Sequence, residues 1–342
     1  MKGTNELATR VGKYTLLLPS RPSIIGHAAV VGKAEGEGPL AHEFDYCYSD
    51  DTIDGCPSWE KAESALQYEA ITRAIAKAEL SPKDINLIMA GDLLDQCTGS
   101  CFAIKDFQIP FIGMYGACST MALTLANCAM LVDAGAKCCV AGASSHFCSS
   151  ERQFRFPLEY GGQRPPTAQW TVTGAGSAVV KNQGDGIKIT ALQIGTITDL
   201  GVKDANNMGA AMAPAAARTI SDFLDDTDTT ASDYDLILTG DLGFTGSRLM
   251  NEILQMEYKK DITSVYNDCG LMIFDLKKQD VNSGGSGCGC GASVLCSHIA
   301  KQMHQGKLHK VLFVATGALL SPTSTKQGQP IPGIAHAIHH EK

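Results

Sequence analysis

The sequence predicts an α/β protein built from two similar halves, and the main evidence is an internal repeat. The pattern "KDINLIMAGDLL" at 83–94 returns as "SDYDLILTGDLG" at 232–243, with the same residue at six of the twelve positions. Each copy is a short apolar run that ends in Gly-Asp-Leu, which is typical of a buried parallel strand leading into a loop. Two further segments of equal length, 116–135 and 287–306, follow the copies, and each begins and ends in glycine.

The segments around the two copies also correspond. The stretch before the first copy, "PSWEKAESALQYEAITRAIAKAEL", predicts a helix with Ser58 as its N-cap. The stretch before the second, "MGAAMAPAAARTISDFL", also predicts a helix, which we expect Pro214 to open or kink. After the glycine-bounded segments come the apolar strands "KCCVAGAS" and "KVLFVATGAL". Each half therefore runs strand, helix, strand, helix, strand, with the halves predicted at 1–183 and 184–342.

Composition limits the classes of function. The chain has 342 residues, a formal charge of −8 and thirteen cysteines. The negative charge disfavours nucleic acid as a partner. The odd cysteine count and the polar opening "MKGTNELATR" favour a reduced, cytosolic-type protein with mostly buried thiols. No apolar segment reaches the roughly 18–20 residues that cross a bilayer, so we expect any membrane association to be peripheral.

Three motifs resemble those of the thiolase superfamily. "YGACSTMA" at 115–122 is similar to the nucleophile turn of thiolases and ketoacyl synthases, with Cys118 in the nucleophile position. "TVTGAGSAVV" at 171–180 resembles their Gly-rich hairpin, and "NSGGSGCGCGASV" at 282–294 resembles their Gly-rich loop. The resemblance implies a thiolase-like fold, in which the two βαβαβ halves stack as five α-β-α-β-α layers. It also implies a homodimer that pairs through an edge strand near the nucleophile helix, for which "KCCVAGAS" is the candidate.

Longer strings resemble one family within that superfamily. Residues 144–180, 208–216 and 331–338 are similar to the stage V sporulation protein AD family. The resemblance implies binding of pyridine-2,6-dicarboxylic acid (dipicolinic acid), alone or as its calcium chelate, with no other cofactor. It further implies action with SpoVA membrane subunits that move dipicolinate into the forespore, and peripheral association with the spore inner membrane.

The catalytic partners of the superfamily are missing from this sequence. Ketoacyl synthases of the initiating type place a His just after the strand that matches "LILTG", and an Asn in the later loop. Here Asp241 lies about where the His should be, and the loop "NSGGSGCGCG" contains neither residue in the matching place. A carboxylate donates no hydrogen bond to an oxyanion unless it is protonated. We therefore expect no Claisen condensation, and we expect Cys118 either to line a pocket or to be packed in the core.

The expected ligand site combines segments of both halves. His146 follows the end of a predicted strand, where parallel α/β sheets place ligands. Three arginines come next, and guanidinium groups suit planar dianions. The opposing interpretations are a semi-buried structural His and ion pairs of the arginines with Glu151 and Glu159. The residues expected to bind the ligand are Cys118, His146, Arg152, Arg155, Arg164, Asp241, Gly285 and Ser286.

Other candidate residues have simpler interpretations. Cys288 and Cys290 lack the spacing of a metal site, so we interpret them as residues that pack within the Gly-rich loop. His339 and His340 lie in the tail "HAIHHEK", where we expect a solvated end. Two alternatives to ligand binding remain open at this stage. One is an acyl-thioester transferase that uses Cys118 with His146 or Asp241, and the other is a structural adaptor with a vestigial pocket.

Overall fold

The computed structural model describes residues 8–154 and 163–342. Its strands are β1 (Thr9–Val11), β2 (Thr15–Leu17), β3 (Ser23–Val31), β4 (Tyr46–Cys47), β5 (Leu87–Gly91), β6 (Phe111–Gly113), β7 (Cys138–Ser145), β8 (Trp170–Thr171), β9 (Gly174–Lys181), β10 (Ile187–Gln193), β11 (Leu236–Thr239), β12 (Tyr266–Asp268), β13 (Gly285–Ser286), β14 (Lys310–Ala318) and β15 (Gly333–Glu341). Its α-helices are α1 (Lys33–Gly36), α2 (Trp59–Lys77), α3 (Thr98–Ile104), α4 (Thr120–Asp133), α5 (Phe147–Phe154), α6 (Met208–Thr227), α7 (Gly243–Met256), α8 (Cys269–Met272), α9 (Cys288–Val294), α10 (Ala300–His304) and α11 (Pro322–Lys326).

The two halves form five-stranded sheets with the same strand order. The first sheet runs β3-β9-β7-β5-β6, and the second runs β10-β15-β14-β11-β12. In both sheets the last three strands are parallel, and the other two pairings are antiparallel. The sheets touch where β10 pairs with β3 over two residue pairs. The duplicated α/β architecture predicted from the repeat is confirmed. The chain passes from the first sheet to the second between Lys181, the end of β9, and Ile187, the start of β10.

Helices and sheets alternate as five layers. Helix α2 packs on β3 and β9 of the first sheet, and α6 packs on β14 and β15 of the second. Helix α4 lies between the sheets and contacts β7 and β9 on one side and β14 and β15 on the other. The largest apolar core surrounds this middle layer and includes Met121, Leu125 and Phe313, all fully buried. Burial of this layer from both sides explains why α4 is apolar over most of its surface.

The predicted helices form, with one difference. Ser58 caps α2, because its hydroxyl accepts a hydrogen bond from the Lys61 N–H at 3.3 Å. Helix α6 continues through Pro214 instead of opening there. Its start is set by Asn207, whose side chain accepts from the Ala210 N–H, and its packing on two strands and α7 holds the helix beyond the proline.

Two expectations about exposure are wrong. The strand "KCCVAGAS" is not an edge strand, because β7 is paired with β5 on one side and with β9 on the other. The edge of this sheet is β6. The C-terminal tail is not solvated, because β15 lies inside the second sheet between β14 and β10, which buries His340. All thirteen cysteines are free thiols and nine are buried, as the composition predicts.

Candidate ligand site

Cys118 lies in a tight turn that precedes α4. Ala117 adopts a left-handed conformation with φ of +50°, and Ser119 closes the turn with both its N–H and its hydroxyl on the Gly116 carbonyl. The turn packs directly against β14 of the second half, because a Cβ at Gly317 would come within 2.4 Å of the Gly116 carbonyl oxygen. A side chain at position 317 would push the turn away. The Cys118 side chain is therefore held at the junction of the two halves, where it is 6% exposed.

Asp241 is the buried partner of that thiol. It follows β11 and accepts hydrogen bonds from the Gly287 N–H at 2.8 Å, the Thr316 hydroxyl at 2.8 Å and the Ser286 hydroxyl at 3.2 Å. The Cys118 thiol lies close enough to this carboxyl group for each to shift the pKa of the other. Burial raises the pKa of Asp241 to about 7, although its hydrogen bonds act to lower it. The carboxyl group is thus held in place by donors from two separate segments of the chain, at 286–287 and at Thr316.

The electrostatics of this pair oppose thiolate formation. Burial, followed by the charge of the Asp241 carboxylate, raises the pKa of the Cys118 thiol well above its usual range. A helix N-terminus normally lowers a thiol pKa. Here desolvation and a like charge outweigh that effect, so the thiol keeps its proton at neutral pH.

The Gly-rich loop is attached to the first half by a short parallel ladder. Gly285 pairs with Trp170 and Ser286 pairs with Thr171, so β13 lies beside β8. The Gln169 amide donates to the carbonyls of Asp241 and Gly285, both at 2.7 Å. These bonds fix the loop and the Gly-Asp-Leu turn relative to each other.

A cavity opens beside Cys118. Its empty volume is about 380 Å³ including the mouth, while the centres of water molecules can occupy about 30 Å³. Apolar walls come from both halves of the chain, and they include Leu93, Phe154, Met208, Ala318 and Leu320. The polar lining consists of Cys118, Ser150, Glu151, Thr171 and Ser286, with Tyr115 near the mouth. An apolar slot with a few polar groups is the usual form of a small-molecule site.

Glu151 supplies the negative charge of this lining. Its carboxylate accepts from the Thr171 hydroxyl at 2.8 Å and lies 3.8 Å from the Arg164 guanidinium. Arg164 donates to the Gln169 carbonyl and stacks over the rings of Trp170 and Phe147. Arg164 is therefore engaged by protein groups beside the site and does not line the cavity, which matches the ion-pair interpretation for this arginine.

The structure brings together only some of the residues expected at the site. Cys118, Asp241, Gly285 and Ser286 converge as expected, whereas His146 does not reach the cavity. His146 is buried, donates from Nε2 to the Asp51 carbonyl at 2.7 Å and accepts at Nδ1 from the Cys148 N–H. These contacts match the alternative interpretation of His146 as a semi-buried structural residue. Burial lowers the pKa of the His146 imidazole.

Arg152 also lies away from the cavity, since it is half exposed and pairs with Glu60. Helix periodicity explains its position. Ser150, Glu151 and Phe154 share the face of α5 that lines the cavity, and residue 152 points elsewhere. Arg155 and Glu159 lie outside the described residues.

The sequence did not identify Ser150, Glu151, Thr171 or Thr316 as site residues. Thr171 was within a recognised motif, and the phase of α5 could have selected positions 150, 151 and 154 together. Among residues 8–154 and 163–342, no three His, Cys, Asp or Glu side chains lie close enough to hold a metal ion. Within the same ranges, no helix has the length and apolar character needed to cross a membrane.

The fold and the position of Cys118 define a protein of the thiolase-like class. Nearly the whole chain superposes on proteins of known structure. The 3-oxoacyl-[acyl-carrier-protein] synthase III of Aquifex aeolicus matches with a TM-score of 0.56 at 12% identity, covering 94% of this chain and all of that one. Cerulenin-bound OleA of Xanthomonas campestris matches with a TM-score of 0.58 at 12% identity, covering 94% and 97%. At these identities the likeness shows the fold alone.

Sequence comparison narrows the class to one family. The family model described as stage V sporulation protein AD matches residues 12–341. Stage V sporulation protein AD of Bacillus subtilis (strain 168) is 45% identical over 332 residues, covering 97% of each chain. The chain belongs to the stage V sporulation protein AD family, and a role in sporulation follows.

Proposed function

We propose that this protein binds dipicolinate, as the free acid or its calcium chelate, without catalysing a reaction on it. The observation that carries the proposal is the pairing of Cys118 with Asp241 beside a cavity with apolar walls. The cavity lies beside Cys118, whose motif resembles the nucleophile turn of thiolases, and the electrostatics of the thiol support binding rather than chemistry. Membership of the family supports a role in sporulation, and we propose that dipicolinate enters the forespore with the help of SpoVA membrane subunits.

Two features of the site argue against acyl-thioester chemistry. The attacking group in such chemistry is a thiolate, and Asp241 together with burial keeps Cys118 protonated. Stabilisation of an oxyanion needs free donors. The Gly287 N–H, the Thr316 hydroxyl and the Ser286 hydroxyl already bind the Asp241 carboxyl group. An oxyanion at this position would therefore face a carboxylate rather than a set of donors.

The test is calorimetric titration of the protein with dipicolinate and with its calcium chelate. We expect one site per chain and a rise in melting temperature with either form. Incubation with acyl-CoA should leave the mass of the Cys118 peptide unchanged. An acylated Cys118 that turns over would favour the transferase, whereas no heat and no melting shift at millimolar ligand would favour the adaptor.

The corrected edge strand also supports a proposal about assembly. Strand β6 pairs only with β5 among the described residues, and α3 packs beside it. Phe102, Ile112 and Tyr115 are each 44–57% exposed in this region. We propose that two copies join their first sheets along β6, which would cover these side chains. Light scattering at micromolar concentration should give a dimer, and Ile112→Glu should give a monomer.

A further inference from the structure

One buried hydroxyl of the cavity has nothing to bind. The Ser150 side chain is 1% exposed, lines the cavity, and has no hydrogen-bond partner among the residues that the structure describes. A buried hydroxyl without a partner costs free energy, and most such groups in native proteins are satisfied. An unpaired hydroxyl that faces a cavity therefore indicates a group that arrives from outside.

The neighbouring residue explains why Ser150 stays unpaired. A serine within a helix usually donates to the carbonyl four residues earlier. For Ser150 that carbonyl belongs to His146, and it already accepts from the Ser150 N–H at 3.1 Å and from the Ser149 hydroxyl at 3.2 Å. The single proton of the Ser149 hydroxyl is shared between that carbonyl and Glu63, which lies at 2.8 Å. Ser149 therefore competes with Ser150 for the local acceptor, and the Ser150 hydroxyl, on a residue that lines the cavity, stays unpaired among the described residues.

The other serine and threonine hydroxyls of the cavity are committed. Thr171 binds Glu151, and Ser286 binds Asp241. Among the described Ser and Thr residues of the lining, Ser150 alone can form a new bond without breaking an old one.

We propose that Ser150 is a ligand-recognition residue whose hydroxyl donates to a carboxylate oxygen of the bound ligand. This inference rests on the proposed function, and it adds the residue that recognises a carboxylate group of the ligand. The adjacent Glu151 cannot do so, because an ionised carboxylate offers only acceptors. A hydroxyl beside Glu151 gives a ligand carboxylate a donor on a wall that otherwise repels it.

The experiment compares two adjacent alanine variants. Ser150→Ala removes an unpaired hydroxyl, so its melting temperature without ligand should equal or slightly exceed that of the wild type. Its affinity for dipicolinate should fall about tenfold. Ser149→Ala is the matched control: it removes a bond to Glu63, so it should melt lower and bind dipicolinate within about twofold of the wild type.

A ligand with one carboxylate shows what the hydroxyl recognises. Pyridine-2-carboxylate lacks one of the two groups, and we expect Ser150→Ala to weaken its binding by a smaller factor than it weakens dipicolinate binding. Equal dipicolinate affinity of Ser150→Ala and the wild type would overturn the inference while leaving the proposed function intact. Absence of dipicolinate binding by the wild type would overturn both.

Discussion

The two copies of the Gly-Asp-Leu turn use the same aspartate in different ways. In the first half, Asp92 accepts from the Leu94 N–H of its own turn and from the N–H and hydroxyl of Ser100, all within 2.8 Å. In the second half, Asp241 accepts instead from the Gly287 N–H and from the Thr316 and Ser286 hydroxyls, which all lie outside its own turn. One carboxylate stabilises its own loop, and the other binds Ser286, a residue that lines the candidate ligand site.

The difference depends on a residue of the neighbouring strand. In the second half, Asp268 accepts from the Leu242 N–H at 2.8 Å and the Gly243 N–H at 3.0 Å. Asp268 therefore accepts the hydrogen bonds from the N–H groups of this turn, in place of Asp241. Asp268 lies opposite Thr239 in the register of β12 and β11, and the matching position in the first half is Gly113, which has no side chain. A Gly-to-Asp difference at the end of one strand thus releases the repeated aspartate for the site.

The largest effect should come from removing Asp268. Asp268→Ala leaves buried N–H groups of the turn and the Thr239 hydroxyl unpaired, so we expect a loss of about 3 kcal/mol in the free energy of unfolding. Urea denaturation measures it. Asp92→Ala should cost a similar amount, yet only Asp268→Ala should also alter the reactivity of Cys118, because only there can Asp241 move to its own turn. Identical Cys118 reactivity in both variants would break the comparison.

The halves also differ in their response to acid. Strand β15 carries His336, His339 and His340, while its counterpart β9 carries no histidine. Burial lowers the pKa of His340 to about 3, and neither ring nitrogen has a partner among the described residues. A folded-state pKa below the unfolded value of about 6.5 means that stability is complete above pH 6.5 and is lost as the pH falls towards 3.

His340→Leu should therefore be more stable than the wild type at pH 5 by about 2 kcal/mol, relative to their difference at pH 7.5. Thermal melting at the two pH values measures this difference. His42→Gln, at an exposed position, serves as the control and should follow the wild type. A parallel pH response of His340→Leu and the wild type would show that His340 does not titrate as its burial requires.

A smaller effect concerns the charge that the first half contributes to the cavity. Glu151→Gln removes a carboxylate from the lining, so we expect binding of the free dipicolinate dianion to strengthen about threefold at pH 7.5. The calcium chelate, which carries its own cation, should gain less. Glu60→Gln removes an acid that pairs with Arg152 outside the cavity, and calorimetry should show no change for it. Weaker binding of the free acid by Glu151→Gln would mean that Glu151 serves the ligand rather than opposing it.

Features set by local sequence were predictable, and those set by long-range pairing were not. The repeat predicted β5 and β11, and the resemblance to thiolases and ketoacyl synthases implied that Cys118 and Asp241 share one site, because these motifs are read from adjacent residues. The role of Asp268 depends on strand register, which no short motif records. His340 was misjudged because a chain end was taken as solvated, whereas β15 is an interior strand. Arg152 was misjudged because its helix phase was not considered.

The central claim, which we propose, is that burial and the Asp241 carboxylate together keep Cys118 protonated, so that the site binds a ligand without reacting with it. The most direct measurement is the pH profile of Cys118 alkylation, read by mass spectrometry of its peptide in the wild type, Asp241→Asn and Asp92→Asn. We predict that wild-type alkylation rises only well above the pH of about 8.5 at which an ordinary thiol titrates. Asp241→Asn should shift the profile down by about one unit or more, while Asp92→Asn should not shift it. Rapid alkylation of wild-type Cys118 near pH 7, or no shift in Asp241→Asn, would contradict the claim.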